Sequence, residues 1–181
     1  VLGTADPGVI TPPSGYTLIR RDQIHPTNAG YGAQALYSHV WHTGDPASVI
    51  FSWVNGAAPD WSVSTWSGVD TASPVDTSGA QSQGTRSTSI VAPSVTLTSA
   101  SDAVIMFGAA EYYFGNSIVS IPTGYTTRQS QFGDGVLPVL YFGTMDTVVS
   151  PTGTSTLVMT QPRYNVGVKI ALSPTSGAPP P

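Results

Sequence analysis

The sequence has no cysteine. That excludes a disulfide framework and a thiol nucleophile, and it removes the usual clue to redox compartment. Charge is almost as scarce. Asp, Glu, Lys and Arg make up 9% of the chain, against about a quarter in an ordinary globular domain. Lys169 is the only lysine and Glu111 the only glutamate. Six basic residues are scattered over the chain, Arg20-Arg21 is the only basic pair, and the net charge is −4. Phosphate recognition needs clustered Lys and Arg, so no nucleic acid is expected as a partner. No apolar run approaches the ~20 residues of a membrane-spanning helix, so no membrane span is expected. There is no Asn-x-Ser/Thr sequon. The chain starts at Val1 rather than Met, as a processed or trimmed product would.

What is present is β-forming. The 181 residues, 40% of them hydrophobic, suffice for one domain with a core that needs no disulfide or metal. Ser and Thr supply about a quarter of the residues, and 19 Gly and 16 Pro supply turns. Thr, Val, Ile, Tyr and Trp suit a pleated, half-buried surface, and no window sustains an apolar period of 3.6 residues. Strands are expected over 16–20, 35–42, 49–54, 61–66, 89–98, 103–114, 125–130, 136–143, 154–160 and 164–172. Turn signals separate them at Thr43-Gly44-Asp45-Pro46, Asn55-Gly56, Gly133-Asp134-Gly135, Ser150-Pro151-Thr152-Gly153 and Gln161-Pro162. Many short strands with regular turns point to an all-β fold, a two-sheet antiparallel β-sandwich of jelly-roll-like or immunoglobulin-like class.

Alternation assigns faces. Ser155, Leu157 and Met159 share one parity, as do Val166, Val168, Ile170 and Leu172, with Asn165, Gly167 and Lys169 opposite. Residues 103–107 do not alternate and read as a central strand covered on both faces. Pro13-Ser14-Gly15-Tyr16-Thr17 is echoed by Pro122-Thr123-Gly124-Tyr125-Thr126, which raises the idea of two related halves with Tyr16 and Tyr125 at equivalent corners. Residues 71–88 hold little to bury and read as a long loop or a pair of weak edge strands. The expected organisation is an N-terminal arm over 1–10, a sandwich domain over 11–172 and a proline-rich tail over 173–181.

Four stretches carry a family resemblance: Thr11-Pro12-Pro13-Ser14-Gly15-Tyr16-Thr17-Leu18, Trp66-Ser67-Gly68-Val69-Asp70-Thr71-Ala72-Ser73-Pro74-Val75-Asp76, Ala92-Pro93-Ser94-Val95-Thr96, and Ile170-Ala171-Leu172-Ser173-Pro174. Together they resemble an uncharacterised β-sandwich module of large secreted bacterial proteins and of phage virion or tail proteins. The Gly-Val-Asp-Thr-x-x-Pro-x-Asp run is the most specific part. The resemblance brings no catalytic signature and implies an exposed structural or adhesive role.

Candidate chemistry is thin. His39 and His42 lie three apart, and on one strand they would point to opposite faces, so no metal site is expected from them. Asp70 and Asp76 flank a turn and are expected to cap backbone N–H groups rather than hold calcium. Glu111 has no obvious carboxylate partner for glycoside hydrolysis, and no Gly-x-Ser-x-Gly elbow occurs. No cofactor and no enzymatic activity are expected. Trp41, Trp53, Trp61 and Trp66 fall close together. Trp53 shares parity with Val49 and Phe51 and reads as core. Trp61 and Trp66 have opposite parity, so one of them faces out, and they are the candidate glycan-stacking residues. The leading expectation is a structural subunit or module of an extracellular filament, cell-surface assembly or phage appendage. It would contact copies of itself through Val1, Leu2, Val9, Ile10, Pro179, Pro180 and Pro181, because apolar arms and stiff polyproline tails dock on a neighbour at low entropic cost. The alternative is a carbohydrate-binding, adhesive module.

Overall fold

The structure is a computed structural model, and it describes residues 8–25, 27, 32–54, 60–111, 115–131 and 138–175. Twelve strands run through these residues in the order β1 (Ile10–Thr11), β2 (Thr17–Gln23), β3 (Ala33–Ser38), β4 (Ser52–Trp53), β5 (Val75–Ser82), β6 (Ser87–Ala92), β7 (Ala103–Ala110), β8 (Ile118–Ser120), β9 (Tyr125–Gln131), β10 (Val139–Met145), β11 (Ser155–Arg163) and β12 (Asn165–Leu172). No helix occurs among the described residues, and none is long and apolar enough to cross a membrane. The fold is the expected all-β sandwich. A five-stranded sheet, β5-β12-β7-β10-β9, faces a three-stranded sheet, β6-β11-β8, and every pairing is antiparallel.

Two glycines let the sheets approach. Gly108 of β7 and Gly167 of β12 are register partners. A Cβ on Gly108 would lie 2.6 Å from Leu157 Cδ1, and one on Gly167 would run into the Val91 backbone. Side chains there would hold the sheets apart; their absence lets Ile90, Ala92, Met106, Tyr141, Leu157 and Met159 close into one core.

A third layer lies outside the sandwich. The β2–β3 hairpin covers the other face of the five-stranded sheet, where Ile24, Ile19 and Leu36 pack on Ala109, Leu140, Val166, Val168 and Ile170. Arg20 fastens it by donating to Ser78 Oγ at 3.1 Å while its Nε and Nη2 hold Asp22 at 2.6 and 2.7 Å. This layer explains β7 and β12. β7 is central and buried along both faces, as its unbroken apolar run implies. In β12 the Val166, Val168 and Ile170 face is buried as expected, but beneath the hairpin. The opposite face, Asn165, Gly167, Lys169 and Ala171, is buried too, and Gly167 looks at the Val91 backbone of β6. Lys169 is fully buried, with its ammonium donating to Gly153 O and, at 3.4 Å, to Thr152 Oγ1.

Several boundaries differ from the sequence reading. Residues 71–88 form β5 and the start of β6, both sheet edges, so the edge-strand reading of that stretch holds. Residues 61–66 are not a strand, and of 49–54 only Ser52–Trp53 pairs, with β1. Gln161-Pro162 is no turn; β11 runs through it to Arg163 with a register irregularity that spares the proline a ladder bond. After Ala92, Pro93 ends the ladder. Hydroxyls then replace strand partners: Val95 N donates to Thr152 Oγ1 at 3.0 Å and Leu97 N to Ser150 Oγ at 2.9 Å. The Asn55-Gly56 and Gly133-Asp134-Gly135 turn signals lie outside the described residues.

The echoed motif is real in local geometry only. Gly15 and Gly124 both have positive φ, 84° and 77°, and each copy opens an antiparallel hairpin, β2–β3 and β9–β10. Yet one hairpin is the outer layer and the other belongs to the five-stranded sheet. Tyr125 sits in the core beside Ser155, whereas Tyr16 stacks on His39 near the surface. The two halves are not equivalent.

Candidate functional site

The most organised polar cluster lies where β3 ends. Gly44 and Pro46 bracket Asp45, and the chain leaves the ladder after Ser38 to make this turn, with Gly44 at φ 99°. His39 and His42 are therefore not on one strand, and the opposite-face argument that separated them does not apply. The turn is closed by Asp45 N donating to His42 O at 3.1 Å. In return His42 N donates to Asp45 Oδ2 at 2.7 Å. His39 Nε2 lies 2.9 Å and His42 Nδ1 3.9 Å from the same oxygen, and the ligand atoms of all three residues lie within 4.8 Å of one another.

The far side of His39 is also fixed. Its Nδ1 is 2.9 Å from Gly15 O. A carbonyl only accepts, so Nδ1 carries a proton and Nε2 is the end turned to Asp45. The ring stacks on Tyr16, centroids 4.6 Å apart and planes 13° apart, and Tyr16 in turn meets Phe51 edge-on at 5.3 Å. The hydrogen bond to Gly15, and then that to Asp45, raise the His39 pKa. The His42 N–H and then His39 hold Asp45 below the usual carboxylate range. Trp41 sits beside this pair, 6.5 Å from His39 ring to ring, and is exposed.

Trp41 also begins an irregular, apolar stretch. Trp41, Val49, Ile50, Val54, Trp61 and Val63 are all exposed, and they are six of the eleven large hydrophobic side chains left exposed among the described residues. Of the candidate glycan-stacking pair, Trp61 is 68% exposed. Trp66 is half-buried, with its indole N–H donating to Ser64 Oγ at 2.9 Å. Trp61 thus faces out, but no strand carries the pair, so strand parity does not account for it. Trp53 is half-buried opposite Ile10. Trp41 stands out only once β3 is seen to end at Ser38, well short of the turn at Gly44-Asp45-Pro46.

The terminal residues divide. Val9 is 72% exposed, but Ile10 is buried against its own domain: it pairs with Trp53, and its carbonyl accepts from the Tyr37 hydroxyl at 3.1 Å. Ile10 is thus packed within its own domain through its pairing with β4. Val1, Leu2, Pro179, Pro180 and Pro181 lie outside the described residues. The start of the tail folds back, Pro174 bridging Val69 and Thr175 N donating to Gly68 O at 2.8 Å.

The carboxylates are mostly spoken for. Asp70 Oδ1 accepts from Ala72 N at 2.9 Å, the turn capping expected of it, whereas Asp76 lies in β5 and accepts from Thr98 N and Oγ1 of a distant segment at 2.9 and 2.6 Å. Glu111 accepts from Arg86 Nε at 2.8 Å and Tyr164 N at 3.4 Å, and its neighbours Tyr112, Tyr113 and Phe114 lie outside the described residues. Asp76 also faces Asp102, which is buried. That burial, then the neighbouring Asp76 carboxyl, push Asp102 up to about 6. Burial opposes ionisation of Asp76 as well, but the bonds from Thr98 N and Oγ1 outweigh it and keep its pKa low.

Compared with protein-family models, curated proteins and solved structures, the chain matches none.

Proposed function

We propose that the chain is a structural module of an extracellular filament, cell-surface assembly or phage appendage, and that it joins copies of itself through the apolar stretch over residues 41–63 together with its terminal segments. The observation that carries this reading is the exposure of Trp41, Val49, Ile50, Val54, Trp61 and Val63. Val63 is 76% and Ile50 81% exposed, and a monomeric soluble protein rarely leaves such side chains gathered in one segment uncovered. The low charge of the chain leaves little repulsion to oppose close packing. The short motifs that resemble modules of secreted bacterial and phage tail proteins point the same way. The test is sedimentation velocity over a wide concentration range, comparing the chain with the triple variant Trp41→Ser, Ile50→Ser, Val63→Ser. Self-association that the triple variant loses supports the reading; a chain that stays monomeric at the highest concentration refutes it.

A second reading, an adhesive carbohydrate-binding module, is favoured by the exposed rings of Trp41 and Trp61, since such rings stack on sugar faces. Glycan-array binding that Trp61→Ala removes would establish it, and an array without binding would set it aside.

A further inference from the structure

We propose that His39, His42 and Asp45 form a binding site for a divalent transition-metal ion, zinc above all. This goes beyond the assembly reading and does not depend on it. Two imidazoles and one carboxylate from a seven-residue span converge on a common point, with their ligand atoms within 4.8 Å of one another. An ion at ~2.0–2.2 Å from each ligand needs those atoms about 3–3.6 Å apart. His39 Nε2 and Asp45 Oδ2 stand at 2.9 Å, and His42 Nδ1 is 3.9 Å from that oxygen. The remaining adjustment falls on the His42 side chain, 70% exposed and free to turn.

The surroundings are arranged as a metal site requires. A metal-bound imidazole typically donates its other ring N–H to a carbonyl or carboxylate, which fixes the tautomer and aims the ring. His39 Nδ1 does so to Gly15 O at 2.9 Å, and the Tyr16 ring pins the imidazole plane. Asp45 is set by the N–H of His42, so the turn that presents one ligand also orients another. Two nitrogen donors and one oxygen suit zinc, copper(II) or nickel(II) rather than calcium or magnesium, which prefer oxygen. Three ligands on an open face leave a position for water or an outside ligand. The ion would tie the Gly15 corner to the 42–45 turn and brace Trp41, whose ring is 6.5 Å from His39.

The test is calorimetric titration of the chelator-treated full chain with zinc chloride, paired with the visible spectrum of the cobalt(II)-loaded chain. The expected result is one ion per chain, an intense cobalt band of low-coordinate geometry, and affinity weakened at least about tenfold in His42→Ala. That variant keeps the backbone N–H that holds Asp45, so its metal-free melting temperature should match the parent's. His25→Ala, remote from the site, should bind as the parent does. Absence of zinc binding, binding unchanged in His42→Ala, or binding lost in His25→Ala would each overturn the proposal.

Discussion

Asp102→Asn should stabilise this protein at neutral pH. Asp102 is 2% exposed beside Asp76. Its pKa stands at about 6, against 3.8 for the free group. A folded-state pKa raised above the unfolded one gives stability that is complete below pH ~4 and is lost as pH rises through about 6. A difference of that size corresponds to about 3 kcal/mol. That is the cost of ionising a carboxyl buried against a second carboxylate that Thr98 keeps charged. Asparagine keeps the shape but never ionises. The difference between variant and parent should therefore be small near pH 4 and reach about 3 kcal/mol by pH 7.5. In a domain of this size that is a melting temperature higher by about 6–12 °C. Thermal unfolding followed by circular dichroism at half-unit pH steps measures it. Parallel pH profiles for the two proteins, or a variant less stable at pH 7.5, would refute the reasoning.

Three further outcomes follow from the core. Val168→Asp should fail to fold, because it sets an unpaired charge between the five-stranded sheet and the β2–β3 hairpin; a soluble variant with unchanged melting temperature would show the register of β12 to be wrong. Gly167→Ala should cost about 1–3 kcal/mol or more in a chemical-denaturation midpoint, since its Cβ meets backbone that cannot turn aside. Lys169, which burial pushes down to about 8 from 10.5, binds fewer protons folded than unfolded between those values. Stability should thus rise from pH 8 to pH 10 in the parent and not in Lys169→Met, as melting curves would show.

Much of the fold could be read from the sequence because strand periodicity and turn chemistry are local. The alternation of Ser155, Leu157 and Met159, the unbroken run of β7, and the positive-φ glycines 15 and 124 all report on their own surroundings. What stayed hidden depends on residues far away in sequence. Nothing near Lys169 announces that its face of β12 lies against β6, because the cause is the close approach allowed by Gly108 and Gly167. The third layer was hidden for the same reason: β2 and β3 look like ordinary sandwich strands until their partners are known. The site at His39, His42 and Asp45 hinged on one boundary. Extending β3 by four residues sends the two rings to opposite faces, and ending it at Ser38 brings them to one carboxylate.

The claim that the chain is built to assemble is tested most directly by negative-stain electron microscopy of the full chain at high concentration. Beside it goes the triple variant Trp41→Ser, Ile50→Ser, Val63→Ser. The account predicts filaments or ordered arrays for the parent and dispersed single particles for the variant. Dispersed particles for both, or identical arrays for both, would contradict it.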